Sequence, residues 1–562
     1  MTWVLGMSGS HNGAAALYRD DTLVCAVQEE RLSRKKRDVL HPGRASLAVA
    51  ALLADQGLAT ADIDLVVAAP LVDPHLPEQR PDLHPLVGLR PHLTISHHFA
   101  HALSAYACSG FGDATALVVD GMGSYARDVA EAERAVVLGR DEAARETVSI
   151  YACDHGHLVP REKHVGRTTF ALDALPTRLG PFASLGLMYQ QVARLTFGSW
   201  DAAGKVMGLA PYGSARFARD AFFEVASDGR LEFHDDALGI GGDLGELRPY
   251  PSDAALHADL AASTQAALEA GLMHLVRRAR ALTDSRRLVC AGGVFLNSVA
   301  NELIVRSGIF DEVFVVPFAE DSGTAVGAAF HGVVTLLGPR VGRRLEADAL
   351  GPRPTDHGAA LELARANGAA VSDLRGDPGW QSLAERIAAG QAVGFFSGRS
   401  ELGPRALGQR SILFDPRRPE GRAELNRLKG REAFRPFAPA VLLSHASEWF
   451  DLGATPESPF MLRVAAVHPH RRGAIPAVTH VDGSARPQTV RPDGGPLASV
   501  IEAFFALTGV PMLLDTSFNR ADEPIVESAC DAVRTFLGCG LHALWLDGVL
   551  IAKPGLDPEL KP

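Results

Sequence analysis

The sequence predicts an α/β chain of two domains, the first of them internally duplicated. Three observations carry this. The chain has 562 residues, too many for one hydrophobic core. Residues 3–28 and 114–151 repeat one pattern: a strand, a small-residue loop and two further strands. Residues 337–358 then turn to Gly, Pro and Arg, which reads as a linker. Two strand–loop–strand–strand units, each able to present a glycine loop to phosphate, match the duplicated actin-like (ASKHA) architecture, with ATP expected in the cleft between its halves. The expected domains are residues 1–345 and 346–562, the second of α+β class.

Taken in order, Trp3–Met7, Gly13–Tyr18 and Thr22–Gln28 read as strands, the last two joined by a hairpin at Asp20-Asp21. The loop Ser8-Gly9-Ser10-His11-Asn12-Gly13 between the first two has His11 as its only titratable side chain. That makes His11 a candidate base, with a solvated loop histidine as the plain alternative. Residues 29–38 are a charge run, expected as a solvated segment. A helix follows over 44–56, a strand over 64–69, and a loop over 70–92. Leu93-Thr94-Ile95 is a short strand leading into an Ala-rich helix that begins near His97.

The second copy opens with a buried strand ending in Asp120-Gly121-Met122-Gly123. Hairpin strands at 135–138 and 148–151 complete it. Gly204–Gly213, with Lys205 and Gly208, reads as a nucleotide-facing loop or an ordinary turn. A helix over 254–282 precedes the strand Arg287–Ala291, which runs into Gly292, Gly293 and Asn297 at a helix start. Strand, paired glycines and helix N-terminus form a compact seat for an anion or nucleotide. It is neither the dinucleotide fingerprint nor a P-loop. Val313–Pro317 then leads to Asp321 at another helix start.

His97 and His101 are four apart, so a helix puts both on one face, one turn from each other. That is a usual way to aim two imidazoles at one metal. Asp120 and Asp321, each at the end of a strand, complete a nitrogen/oxygen donor set suited to iron(II) or manganese, with zinc not excluded. A surface or core histidine pair is the bland reading of His-x-x-x-His. The pair also lacks the intervening Glu of H-E-x-x-H peptidases.

In the second domain a strand over 392–397 leads into Gly398–Ile412, which carries Arg405 and Arg410. The basic set continues through Lys429, Arg431, Arg435 and Arg486. The strand Leu513–Asn519 ends in Ser517 and Asn519, polar groups able to orient a ligand. Guanidinium groups gathered among Gly and Pro turns suit a small polyanion, because their forks match phosphate oxygens.

Composition sets the remaining bounds. Hydrophobic residues make up 47% and charged residues 22%, as in globular proteins. Net charge is −11 with no long Lys/Arg block, which argues against a nucleic-acid groove. Six scattered cysteines without C-x-x-C point to a reducing compartment. No basic, apolar leader opens the sequence, and no apolar run reaches the ~20 residues that cross a bilayer. The expected location is cytoplasmic, without membrane contact.

Four stretches together are far more specific than any single motif: His97-His98-Phe99-Ala100-His101-Ala102, Gly398–Ser411, Lys429–Pro439 and Asp515–Asn519. Through them nearly the whole chain resembles the antibiotic and nodulation-factor O-carbamoyltransferases. The resemblance implies a TsaD-like first domain and a YrdC-like second domain. It implies that the second domain makes carbamoyl adenylate from ATP, with its Mg, and carbamoyl phosphate. The first domain would pass the carbamoyl group to a hydroxyl of a small-molecule natural product and release AMP.

By motif match, ferrous iron or another divalent metal is held by His97, His101, Asp120 and Asp321, with His11 as the base. Lys429, Arg435, Arg486, Ser517 and Asn519 would line the adenylate-forming pocket, and either Arg405 or Arg410 would align with a further arginine there. The acceptor is expected near His11 and residues 155–200, and a homodimer is compatible with the family. Two other classes compete: an actin-fold kinase or ATPase, which would release ADP, and a non-catalytic nucleotide-binding regulator.

Overall fold

The computed structural model describes residues 1–40, 46–70, 93–139, 141–167, 178–180, 182–234, 237–239, 242–245 and 247–553. Most of the expected 70–92 loop, and residues 168–177 within the expected acceptor region, lie outside them. The chain forms two compact units, Met1–Val24 with Val39–Glu346, and Cys25–Asp38 with Ala347–Pro562.

The first unit holds two sheets of one design. In the first sheet β1 (Trp3–Gly9) pairs antiparallel with β2 (Ala14–Arg19), and the start of β3 (Thr22–Gln28), whose residues from Cys25 on belong to the second unit, forms the edge beyond β2. On the other side β1 runs parallel to β4 (Leu65–Pro70), and β4 parallel to β5 (Leu93–Thr94). The second sheet is centred on β6 (Asp113–Val119). β7 (Val137–Leu138), β8 (Arg145–Asp154) and β9 (His157–Gly166) lie on one side of it, and β10 (Arg287–Ala291) and β11 (Glu312–Val315) on the other. β6 is antiparallel to β8 and parallel to β10, as β1 is to β2 and β4. Both central strands are apolar and buried on both faces, as parallel pairing between helix layers requires. Each ends in a small-residue loop, Ser8–Gly13 or Asp120–Gly123. This is the duplicated actin-like core that the repeat predicts.

Small residues let the layers close around the site. The helix Gly323–Leu337 lies against β1 where Gly6 leaves room; a Cβ there would stand 2.0 Å from the Ala325 carbonyl oxygen. The same helix meets the helix His97–Ser109 at Gly327, where a Cβ would stand 1.8 Å from the Ala100 carbonyl oxygen. Close helix contact therefore fixes the histidines relative to Asp321, two residues before Gly323.

The second unit is built on a mixed sheet of eight strands. Its strands are β12 (Ala370–Asp373), β13 (Val393–Phe396), β14 (Arg410–Phe414), β15 (Ala438–Leu442), β16 (Gln488–Val490), β17 (Met512–Ser517), β18 (Ala543–Leu546) and β19 (Val549–Ala552). Their order is β12-β19-β18-β13-β14-β17-β15-β16. Phe395, Phe396, Phe504, Phe536 and Trp545 anchor its core. It is α+β, as expected.

Two expectations are corrected. The charge run 29–38 is not a solvated segment. Residues Glu29–Ser33 form a short helix that buries Glu29 and Arg31, and the run belongs to the second unit. There Arg31 donates to the Gly403 carbonyl at 2.8 Å, and Arg34 to those of Pro524 and Ile525 at 3.0 and 2.7 Å. Nor is 204–213 a loop. Ala203–Leu209 is helical and Ala210–Tyr212 a 3-10 turn, so Lys205 and Gly208 are helix residues, and the Lys205 ammonium lies over the Phe197 ring. All six cysteines are free thiols, and no helix among the described residues is long and apolar enough to cross a membrane.

Candidate active site

In the first unit Ser96 caps the histidine helix by accepting from the Phe99 N–H, which starts the helix so that His97 and His101 face inward. Their Nε2 atoms approach to 3.1 Å. Asp120, at the end of β6, sets Oδ2 3.3 Å from His97 Nε2 and 3.9 Å from His101 Nε2. Asp321 sets Oδ1 at 3.3 and 3.5 Å from the same two nitrogens. Donor atoms of all four residues lie within 4.8 Å of one another, and all four residues are buried. Two imidazoles and two carboxylates converging this tightly fit a divalent first-row metal. Burial opposes charge on His97, but Asp321 and Asp120 outweigh it and raise the imidazole to about 10. Burial likewise pushes Asp321 up, while His97 and His11 overcome it and hold that carboxyl well below the usual range.

His11 sits at the rim. Its Nδ1 is 3.3 Å from Asp321 Oδ2 and its side chain is 47% exposed. Its loop is tied to the Asp321 segment: Ser8 Oγ donates to the Asp321 carbonyl at 2.9 Å, and Asn12 Nδ2 to Glu320 at 3.0 Å. The five residues thus form one site.

The glycines expected at phosphate instead shape the loops around Asp120. Gly293 N–H donates to Asp120 Oδ1 at 3.0 Å, Gly292 N–H to the Ala319 carbonyl at 2.8 Å, and Gly123 N–H to the Glu146 carbonyl at 2.7 Å. Gly292 has φ +98°, and a Cβ on it would stand 2.3 Å from the Val119 carbonyl oxygen. The Gly121 carbonyl accepts from Ser184 Oγ at 2.7 Å. Asn297 caps the helix Ser298–Arg306 and pairs with Gln265 through its amide. Through the Gly293 N–H the turn at 292–297 braces Asp120.

The second unit gathers cations. Lys429, 1% exposed, donates to the Ser517 carbonyl, to Asn519 Oδ1 at 3.0 Å and to Ser517 Oγ at 3.3 Å. Arg431 reaches Ser517 Oγ at 3.4 Å. Among the described residues Lys429, Arg431 and Arg486 form no ion pair, and Arg435 has only Glu432 at 3.9 Å. Burial and neighbouring cations therefore act together. Arg431 falls to about 9 and Arg486 to about 10, and burial with the Arg486 and Arg435 charges lowers Arg405. Cations crowded in this way repel one another, an arrangement suited to a polyanion.

Arg405 belongs to this group and Arg410 does not. Arg410 is fully buried, gives its guanidinium to the carbonyls of Ser397, Gly398, Gln409 and Glu527, and stacks 3.7 Å over Phe396. Sequence reasoning missed Glu401, whose Oε1 accepts the amides of Leu407, Gln409 and Arg410 at 2.8, 2.9 and 3.1 Å and so folds the Arg405 loop. Its signal was a lone acid inside a Gly/Pro/Arg stretch.

Comparison with known proteins gives the family. Residues 86–330 match the family description Carbamoyltransferase N-terminus, and residues 384–553 match Carbamoyltransferase C-terminus. Nodulation protein NolNO of Sinorhizobium fredii (strain NBRC 101917 / NGR234) is 36% identical over 98% of this chain and 80% of its own length. Nodulation protein U of the same strain is 29% identical over 98% of this chain and 99% of its own length. Among solved structures, T. kodakarensis HypF aligns at 15% identity over 61% of this chain and 48% of its own, with a TM-score of 0.39. The sequence matches define an enzyme of the transferase class. The chain belongs to the carbamoyltransferase family.

Proposed function

We propose that this enzyme forms carbamoyl adenylate in its second unit and transfers the carbamoyl group to a small-molecule hydroxyl in its first. The observation that carries this reading is the separation of two chemistries: a cluster of buried, mutually repelling cations in one unit and a nitrogen/oxygen donor set with an adjacent histidine in the other.

Carbamate is a poor electrophile, and adenylation gives it a good leaving group. Lys429, Arg431, Arg435, Arg486 and Arg405 hold the phosphates of ATP and carbamoyl phosphate together and offset their repulsion. Ser517 and Asn519 orient Lys429. Carbamoyl phosphate gives up its phosphate to water, the carbamate oxygen bonds to the α-phosphorus of ATP, and pyrophosphate leaves. The second unit would then be the YrdC-like domain of the family scheme, with Mg accompanying ATP.

In the first unit His97, His101, Asp120 and Asp321 would hold a divalent metal, with iron(II) suited to the donor set. Bound there, it supplies Lewis acidity toward the carbamoyl group. His11 takes the acceptor hydroxyl's proton, with its ring oriented through Nδ1 by Asp321. The hydroxyl oxygen bonds to the carbamoyl carbon and AMP leaves.

Product analysis tests the scheme. Wild-type protein given ATP and carbamoyl phosphate is expected to yield pyrophosphate and carbamoyl adenylate, and AMP once an acceptor hydroxyl is supplied. Arg435→Ala should yield none of these, and His97→Ala should form adenylate without transferring it. ADP as the nucleotide product would replace this reading with the kinase one.

A further inference from the structure

A fully buried lysine, Lys163 on β9, has no part in the scheme above. Its ammonium donates to Glu146, to Tyr151 Oη at 2.8 Å and to Ser149 Oγ at 3.0 Å, and forms an ion pair with Glu133 at 2.8 Å. Burial works against that charge, but Glu146 and Glu133 outweigh it and keep the ammonium ionised.

Both carboxylates are turned toward the start of the histidine helix. Glu133 accepts from Ser96 Oγ, the cap of that helix, at 2.9 and 3.0 Å. Glu146 Oε2 accepts the His98 N–H at 3.3 Å and the Ser124 N–H at 3.0 Å. Ser124 Oγ accepts the His97 N–H at 3.0 Å. The first three amides of the helix are therefore held by Ser124, Glu146 and Ser96. Ser124 also ends the loop that begins at Asp120, so one cluster holds His97 and Asp120 in register.

Metal-bound histidines ordinarily fix their rings through the second nitrogen. Here neither His97 Nδ1 nor His101 Nδ1 has a hydrogen-bond partner among the described residues. Ring orientation rests on where the helix starts.

We propose that Lys163, with Glu133 and Glu146, is the positioning group of the metal centre, setting the histidine helix and the Asp120 loop for a divalent cation. The inference rests on reading His97, His101, Asp120 and Asp321 as a metal site. Without Lys163 two buried carboxylates face each other unpaired, and the helix start gives way before the ligands themselves are touched.

Cobalt(II) titration of the full chain, followed by visible absorption, tests this. Lys163→Met should bind cobalt(II) about 10- to 100-fold more weakly, the range seen when outer-shell partners of metal ligands are lost. Lys163→Met/Glu133→Gln/Glu146→Gln keeps acceptors for Ser96 and His98 without the charges, and should recover most of that affinity and the wild-type spectrum. Ser124→Ala leaves the buried charges paired and removes only the acceptor of the His97 N–H. It should weaken cobalt(II) several-fold in a folded protein, and it decides the matter should Lys163→Met not fold. Wild-type affinity and spectrum in Ser124→Ala, or in a folded Lys163→Met, overturn the inference. Unaltered cobalt(II) binding by His97→Ala overturns instead the metal-site reading beneath it.

Discussion

Asp515 lies on β17 in the same unit as the cation cluster and is 2% exposed. Burial dominates its titration; Ser411, Lys429 and Arg486 pull the other way, yet the carboxyl rises to about 8. An unfolded aspartate titrates near 4. Between pH ~4 and ~8 the folded protein thus keeps a proton that the unfolded chain has lost, and stability declines as pH rises through that window. Asp515→Asn removes this decline. Urea melts at pH 5, 7 and 9 should show the variant gaining on wild type as pH rises, and parallel curves would contradict it. Arginines 405 and 410 separate at the same scale. Arg410→Ala should cost on the order of 3 kcal/mol of stability, since it strands four buried carbonyls. Arg405→Ala should leave the melt near wild type and abolish pyrophosphate release. The sequence left these two arginines open because both stand in one Gly/Pro-framed stretch; only the fold says which faces cations and which faces carbonyls. The four converging donors were legible, since helix spacing and strand ends place them without tertiary detail. Lys163 was not, because its meaning lies in residues 17 and 30 positions away, Glu146 brought to it by strand pairing and Glu133 by the packing of a short helix.

Helices and strands show why some elements can be read and others cannot. β1, β6 and the histidine helix carry clear periodicity and appear where it puts them. β9 carries the charged run Arg161-Glu162-Lys163-His164 in its middle, yet Lys163 and His164 are buried, Lys163 against Glu133 of another element and His164 against Glu162 of the same strand. Residues 204–213 hold three glycines and a proline, and still pack as a helix and a 3-10 turn beside the helix Ala254–Leu282. Tertiary packing overrides local preference there. Gly327 gives an element-scale prediction. A Cβ at 1.8 Å from the Ala100 carbonyl oxygen forces the two helices apart. Gly327→Ala should cost about 1–3 kcal/mol by denaturant melts and weaken cobalt(II) binding with it. Lost stability with intact metal affinity would show that the helix contact does not set the ligands.

At the scale of the molecule, the chain enters the first unit, contributes Cys25–Asp38 to the second, returns, and then builds the rest of the second from Ala347 onward. A linker near 346 is visible in composition, but a charge run that leaves its flanking sequence for another core is not. Residues 347–562 alone lack the Arg31 and Arg34 donors to Gly403, Pro524 and Ile525. Expressed by themselves they should lose near-UV circular dichroism and resist no protease; a rigid, protease-resistant fragment would contradict the shared core. The central claim is that adenylation belongs to the cation cluster and transfer to the donor site. Exchange of labelled pyrophosphate into ATP, with carbamoyl phosphate present and no acceptor, measures the first step alone. The account predicts carbamoyl-phosphate-dependent exchange in wild type and His97→Ala and none in Arg435→Ala. Exchange that survives in Arg435→Ala, or vanishes in His97→Ala, would contradict it.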